Sequence, residues 1–492
     1  MKRNATQGGW LRLAPLFVFV PVCWADVGSA ACAPCHKAIY DRYQKTGMAR
    51  SSGRTGTGEF RESFALGSFV DAKTGARYRV SDRYMVSFER GPVRGERAME
   101  YFLGSGLVGR SYAGMVEGFL FQSPATYYSA RGAWGLSPGY AVKGFVDVAR
   151  PVEPECLRCH ASRVQEGAPP FLEGGVSCER CHGPGEAHVA GRGKMVNPAK
   201  LEPERRDSVC LQCHLTGVER VDRVRGGALA YRPGDRLADF VSIFVRKGSE
   251  RTATDHAEQL ARSQCRQAAG AKLWCGTCHD AHGDKPGAAE QACAQCHERH
   301  KNGEGSCVGC HMPKGATREG EHVVYTDHTI RRRLAGAATA AGGLELFPGM
   351  TAGEREWALA EPVRRAHDLQ RLAARPEADA AVLAQLAQIY DRSGRGREAA
   401  GLYERVLRLE PDHATAQANL GIYWLEAGQV REALALWDRA FARKPGMLSA
   451  GLNLAMAQMQ LRDRAGAVRT LRRVLRFHPD SAQARELLGS LL

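Results

Sequence analysis

The sequence predicts a mainly α chain in two parts: a loop-rich N-terminal part carrying a small β-rich insert, then an α-helical repeat solenoid. Three observations predict it. One cysteine-containing unit recurs from residue 32 to residue 311, an alternating stretch separates its first two copies, and apolar positions repeat every 34 residues towards the C-terminus. The 492 residues, 44% hydrophobic and 25% charged, suffice for more than one core. A mean hydropathy of −0.35 excludes a polytopic membrane protein. The formal net charge of +15 raises nucleic acid or an anionic membrane as partners, but sixteen cysteines and sixteen histidines lead elsewhere.

Residues 1–25 read as a cleaved signal peptide: Lys2 and Arg3, then an apolar run from Leu13 to Trp24 broken by Pro15 and Pro21. Ala25 and Ala30 are both small residues suited to cleavage. The run is short for a bilayer span, and no second segment has transmembrane character, so the mature chain is expected to lack an integral span and to be periplasmic or otherwise exported. Export makes disulfides the default use of cysteine. The spacing rejects that default.

Fourteen cysteines fall into seven Cys-x-x-Cys-His units: Cys32-Cys35-His36, Cys156-Cys159-His160, Cys178-Cys181-His182, Cys210-Cys213-His214, Cys275-Cys278-His279, Cys293-Cys296-His297 and Cys307-Cys310-His311. Two thiols three apart on one turn reach the two vinyl groups of one porphyrin, and the adjacent histidine meets the iron as proximal ligand. A zinc finger needs no histidine after each cysteine pair, and a thioredoxin-like site occurs once. The expected cofactor is haem c, covalent and sevenfold. Cys265, outside every unit, is expected to be a buried free thiol.

Between residues 26 and 335 six histidines remain as candidate distal ligands: His188, His256, His282, His300, His322 and His328. Six cannot complete seven bis-histidine irons. The first unit stands 120 residues ahead of the second and offers Met48 as a thioether ligand, which would raise its potential. If Met48 does not bind, the first iron is the leading candidate for an open position.

Residues 60–150 form the predicted β-rich insert. Tyr78 to Arg90 alternates as strands do, between Gly75 and Gly91, and aromatic stretches at Tyr101-Phe102, Phe119-Leu120-Phe121, Tyr127-Tyr128 and Trp134 follow. The insert is expected to pack over the first haem, with its tyrosines as packing groups rather than gates. Residues 26–335 would make up the haem-bearing domain and 336–379 a linker with leading helices.

Residues 380–492 carry the repeat. Pro411, Pro445 and Pro479 are 34 apart, in register with Leu386, Leu420, Leu454 and Leu488, with Ala399, Ala433 and Ala467, and with Tyr403, Trp437 and Leu471. This is the tetratricopeptide pattern, ending in a capping helix from residue 480. Such an array either braces its own chain or docks a partner protein.

Together these residues resemble a bacterial family of exported multihaem c-type cytochromes with C-terminal tetratricopeptide repeats, whose haem domain is similar to the tetrahaem cytochrome of ammonia oxidisers. The resemblance rests on Tyr-Phe-Leu-Gly-Ser-Gly at 101–106, Ser-Pro-Gly-Tyr at 137–140 and Ser-Cys-Glu-Arg-Cys-His-Gly-Pro-Gly-Glu-Ala-His at 177–188. Cys-Gly-Thr-Cys-His-Asp-Ala-His at 275–282, Cys-His-Met-Pro-Lys at 310–314 and Thr-Asp-His at 326–328 add to it. It implies electron transfer, and it implies His188, His282 and His328 as distal ligands. Seven units instead of eight, and no lysine-bearing unit, depart from the octahaem and pentahaem reductases.

Two functions follow. The first is an electron carrier working with redox protein partners. The alternative is an oxidoreductase in which an under-ligated haem acts on a small nitrogen or sulfur compound. Nucleic acid drops out, because signal removal takes away Lys2, Arg3 and Arg12 and the propionates of seven haems offset much of the remaining basic charge.

Overall fold

The computed structural model describes residues 26–140, 146–165, 167–247, 256–283, 288–298, 306–317, 320–331 and 342–492, with backbone alone at 316–317 and 320–325. The predicted signal peptide lies outside the described residues.

Ten short helices carry the N-terminal part: α1 (Ala33–Tyr43), α2 (Pro154–His160), α3 (Glu179–His182), α4 (Glu186–Val189), α5 (Pro203–His214), α6 (His256–Arg262), α7 (Gln264–Ala269), α8 (Cys275–Cys278), α9 (Ala288–Ala294) and α10 (Cys307–His311). Proline in the first turn of α1, α2 and α5 presets the helical φ where no hydrogen bond is lost. Helices this short are marginal alone and depend on tertiary contacts.

Nine strands lie between residues 52 and 136: β1 (Ser52–Arg54), β2 (Ser68–Val70), β3 (Arg77–Val80), β4 (Met85–Arg90), β5 (Val93–Ala98), β6 (Tyr101–Leu103), β7 (Gly109–Val116), β8 (Phe119–Tyr128) and β9 (Ala133–Leu136). They form antiparallel sheets in the orders β2-β3-β4-β5 and β1-β6-β7-β8-β9. The alternating run from Tyr78 to Arg90 is a hairpin, because Tyr84 takes a φ of 54° and the chain reverses before β4. Tyr78, Val80, Val86, Phe88, Met99, Tyr112 and Trp134 fill the core between the sheets. Tyr112, Tyr84 and Arg110 all bond the Glu62 carboxylate, so these tyrosines are packing groups with satisfied hydroxyls.

The insert packs against the second unit. Tyr101, Ala113 and Leu120 pack on Leu157, Ala161 and Phe171, the apolar residues around the second unit. Leu157, an x-position of the second unit, is the apolar residue that α2 buries against the sheet. Beyond α2 run the hairpin β10 (Ala161–Val164) and β11 (Phe171–Gly174), then β12 (Glu219–Asp222), β13 (Val241–Arg246), β14 (Lys314–Thr317), β15 (Gly320–Thr326) and β16 (Leu344–Leu346). β12, β13 and β16 make a three-stranded sheet.

The C-terminal helices are α11 (Glu354–Ala360), α12 (Ala366–Ala373), α13 (Ala380–Arg392), α14 (Gly396–Leu409), α15 (Ala414–Glu426), α16 (Val430–Arg443), α17 (Leu448–Gln460), α18 (Arg464–Phe477) and α19 (Ala482–Leu491). The periodic residues Ala399, Ala433, Ala467, Tyr403, Trp437 and Leu471 are almost wholly buried. Gly421 is required by close approach: a Cβ there would lie 2.6 Å from Nε1 of Trp437, which donates to the Ala418 carbonyl at 2.9 Å.

Both ends of the array rest on the N-terminal part. At the leading end Trp357 packs edge-on to Phe244 at 4.6 Å, and Arg355 donates to the Asp222 carbonyl at 2.8 Å. At the far end Phe477 packs on Phe121 and Ala149. Arg473 and Arg476 pair with Glu117, while Asp480 pairs with Arg90 at 2.7 Å and accepts the Val146 N–H at 2.9 Å.

Candidate haem-binding site

Every Cys-x-x-Cys-His unit sits on or at the edge of a short helix, which places both thiols on one turn with the histidine at its end. The units then meet through their sulfurs. Cys32 lies beside Cys178, Cys159 beside Cys213 and Cys210 beside Cys275. Cys181 lies within electrostatic reach of Cys210, Cys278 of Cys293, and Cys293 of Cys307. None of the fifteen described cysteines forms a disulfide.

The imidazoles come together across the units. His36 stacks on His188 at 6.3 Å between ring centres and His182 on His282 at 5.9 Å. His214, His256, His279 and His328 form one cluster, with His214 at 6.0 Å from His256, His279 at 6.3 Å from His328, and His256 and His328 at 4.6 Å from each other. Each of these four motif histidines thus has one of the six candidates beside it. A metal–imidazole bond of about 2 Å puts two rings on opposite faces of one iron roughly 6 Å apart between centres, so the spacing fits axial ligation.

The orientation of the rings fits as well. Nδ1 of His182 bonds the Val196 carbonyl at 2.7 Å, His188 that of Gly193 at 3.1 Å, His311 that of Arg331 at 2.6 Å and His328 that of Thr326 at 2.8 Å. His282 Nδ1 faces the Asp280 carboxylate at 3.3 Å. An occupied Nδ1 leaves Nε2 as the ligand atom and fixes its direction. Burial pushes His160, His182, His214 and His328 below the ordinary imidazole range, and His256 down to about 4, which favours the neutral form that metals bind.

Across from His36 stands the His188 ring. The backbone of Met48 meets Val176 and Ser51, and Ser51 Oγ donates to the His160 carbonyl at 2.9 Å. His160, His297 and His311 remain for His300 and His322; His300 lies outside the described residues and His322 is described by backbone alone on β15. Cys265 is half-buried rather than buried, on α7 beside Cys278 and Cys293, since one face of so short a helix stays exposed.

Residue spacing carried no signal for the groups that lock the units together. Arg180 Nη2 donates to the Arg158 carbonyl at 2.7 Å, Gln212 Nε2 to the Arg180 carbonyl at 2.9 Å, and Arg158 Nη1 to the Gln212 carbonyl. These x-position residues close a ring through the second, third and fourth units.

Residues 384–447 and 425–491 match the tetratricopeptide repeat family, and residues 141–183, which hold the second and third units, match the cytochrome c554 and c-prime family. The chain joins a cytochrome c-type segment to tetratricopeptide repeats. The cytochrome match implies haem c. No curated protein matches the chain. Among solved structures it is similar to the first tetratricopeptide domain of Spaghetti (RPAP3) bound to an HSP90 peptide, at 20% identity over 23% of this chain and 90% of that one, TM-score 0.22. It is also similar to the Arabidopsis OM64 tetratricopeptide domain (19%, 23% and 93%, 0.22) and to MamA from Desulfovibrio magneticus RS-1 (20%, 28% and 78%, 0.25). Among the described residues no helix is long and apolar enough to cross a membrane.

Proposed function

We propose that the chain is an exported heptahaem c-type cytochrome that carries electrons between redox proteins, with its repeat array bracing the haem-bearing part. The observation that carries this is that His36, His182, His214 and His279, each from a Cys-x-x-Cys-His unit, all have a non-motif imidazole 5.9–6.3 Å away between ring centres. Haem, when bound, supplies one-electron redox chemistry tuned by its axial ligands and burial.

The nearness of the thiols supports an order of first, third, fourth, fifth, sixth and seventh unit, with the second beside the fourth through Cys159 and Cys213. Short helices and loops within residues 26–335 hold the attachment points, and the helices of 354–492 rest on that part through Trp357 at the leading end and Phe477 at the far end. Docking at both ends supports bracing over partner capture; partner docking on the free faces is the lesser reading.

The alternative is an oxidoreductase acting on a small nitrogen or sulfur compound. Its support is the count: three motif histidines, His160, His297 and His311, share two candidates, His300 and His322. At least one iron then lacks a histidine from this set.

A pyridine haemochrome assay of the exported protein tests the foundation, with seven haems per chain expected and clearly fewer overturning it. Paramagnetic resonance of the ferric protein separates the two readings. All-low-spin irons indifferent to nitrite, hydroxylamine and cyanide leave the carrier; a high-spin signal that shifts on addition moves the case to the enzyme.

A further inference from the structure

Ala25 and Ala30 both satisfy the small-x-small rule of signal cleavage, with Cys23 and Gly28 at the respective −3 positions, so sequence alone does not choose between them. The folded residues just after Ala25 do choose. Glu179, on the third unit and almost wholly buried, accepts the Val27 N–H at 2.9 Å on one carboxylate oxygen and the Gly28 N–H at 2.9 Å on the other. Its third bond comes from Gly185 N at 2.7 Å. Ser29, equally buried, donates its N–H to Glu173 at 3.0 Å, and its Oγ accepts the N–H of Cys178, the first haem-attaching thiol of that unit, at 3.1 Å. Val27 also packs so tightly on Gly185 that a Cβ there would lie 2.9 Å from it.

From these contacts we infer that the signal peptidase cuts between Ala25 and Asp26, not after Ala30, and that residues 26–30 are a built part of the third haem-attachment site. The inference rests on the export reading above. Cleavage after Ala30 would remove two of the three donors to a buried carboxylate, strip Cys178 N of its acceptor, and undo the turn in which Ala31 N bonds the Gly28 carbonyl at 3.1 Å. Cleavage after Ala25 leaves all of it in place. It also creates an α-ammonium on Asp26, whose own carboxyl is pushed up by burial and by the charge of Glu179. A cation there offsets the crowded carboxylates.

The test is N-terminal sequencing with intact-mass analysis of the haem-loaded protein recovered from the exported fraction. A chain starting at Asp26 is expected. A chain starting at Ala31, or an uncleaved one, overturns the inference and leaves the export reading standing; absence of the haem-loaded chain from the exported fraction overturns the export reading itself. The anchoring argument has its own check: two chains exported behind a foreign leader, one starting at Asp26 and one at Ala31, compared for haem-stained yield. The shorter is expected to give several-fold less holoprotein, since a modest stability loss changes abundance by that much. Equal yields and equal thermal midpoints would defeat the argument.

Discussion

His188 faces His36 at 6.3 Å with an interplanar angle of 21°, joining the first Cys-x-x-Cys-His unit to the turn that follows the third. His188 is held there by its Nδ1 bond to the Gly193 carbonyl at 3.1 Å. Replacing it with glycine is expected to convert one iron from low to high spin, visible by paramagnetic resonance, with imidazole added to solution restoring the low-spin signal. His188→Met should instead keep the iron low-spin and raise its potential in a redox titration. An unchanged spectrum in His188→Gly would remove His188 from the ligand set.

Gln212 is 3% exposed and its Nε2 donates both to the Arg180 carbonyl and to the Val209 carbonyl, each at 2.9 Å. Gln212→Leu keeps the volume but leaves a buried carbonyl of the third unit without its donor. The expected loss is about 1–3 kcal/mol in denaturant unfolding of the holoprotein. Haem content should stay the same, because no attachment group is touched. A variant as stable as the parent would show that the ring of bonds through Arg158, Arg180 and Gln212 is dispensable.

What could be read in the sequence was whatever chemistry demands locally. Thioether attachment needs two thiols and a histidine on one turn, so His182 is legible beside Cys178 and Cys181. A repeat needs its alanine and large apolar positions 34 apart, so the burial of Ala433 and Trp437 is legible too. The pairing of His182 with His282 is set by how distant loops fold, and no local pattern records it. The same holds for the insert. Its strands follow from alternation, but its seat on Leu157 depends on long-range packing, as does the contact of Phe477 with Phe121.

Phe477 is 1% exposed and rests on Phe121 and Ala149 where the array meets the insert. Phe477→Ala should cost about 3–5 kcal/mol, the range for emptying a buried aromatic site. Glu117→Gln, which removes the partner of Arg473 and Arg476 at the edge of the same junction, should cost under about 1 kcal/mol. Hydrogen exchange should show faster exchange on both sides of the junction in the first variant and little change in the second. Exchange confined to α18 would mean that the array is not braced there.

Asp379 caps α13 by accepting the Val382 N–H at 3.1 Å and pairs with Arg355. Burial alone would raise its carboxyl, but the Arg355 guanidinium and the cap bond outweigh it and hold the carboxyl below the usual range. A depressed folded value contributes stability that is present above the unfolded value, about 3.9, and is lost as pH falls towards the folded one. The parent should therefore lose stability on acidification below about pH 4 more steeply than Asp379→Asn, which keeps a capping oxygen but cannot titrate. Denaturant midpoints measured across that window check it. Parallel pH profiles would assign the acid sensitivity to other groups.

Gly394, Gly428 and Arg462 stand at equivalent places 34 residues apart, at the turn inside each helix pair, and all three are left-handed, with φ of 74°, 79° and 62°. For Gly394 and Gly428 the conformation is free of a Cβ clash; for Arg462 it costs roughly 1–2 kcal/mol. Glycine at 462 relieves that strain but adds backbone freedom to the unfolded chain, which takes back part of the gain. Arg462→Gly is therefore expected to stabilise the array by about 0.5–1 kcal/mol and to raise its thermal midpoint. Gly428→Arg should do the reverse by a similar amount, since it installs in the second repeat the strain that the third already carries. If both substitutions lower the midpoint, Arg462 contributes a contact that outweighs its strain, and the equivalence of the three turns fails.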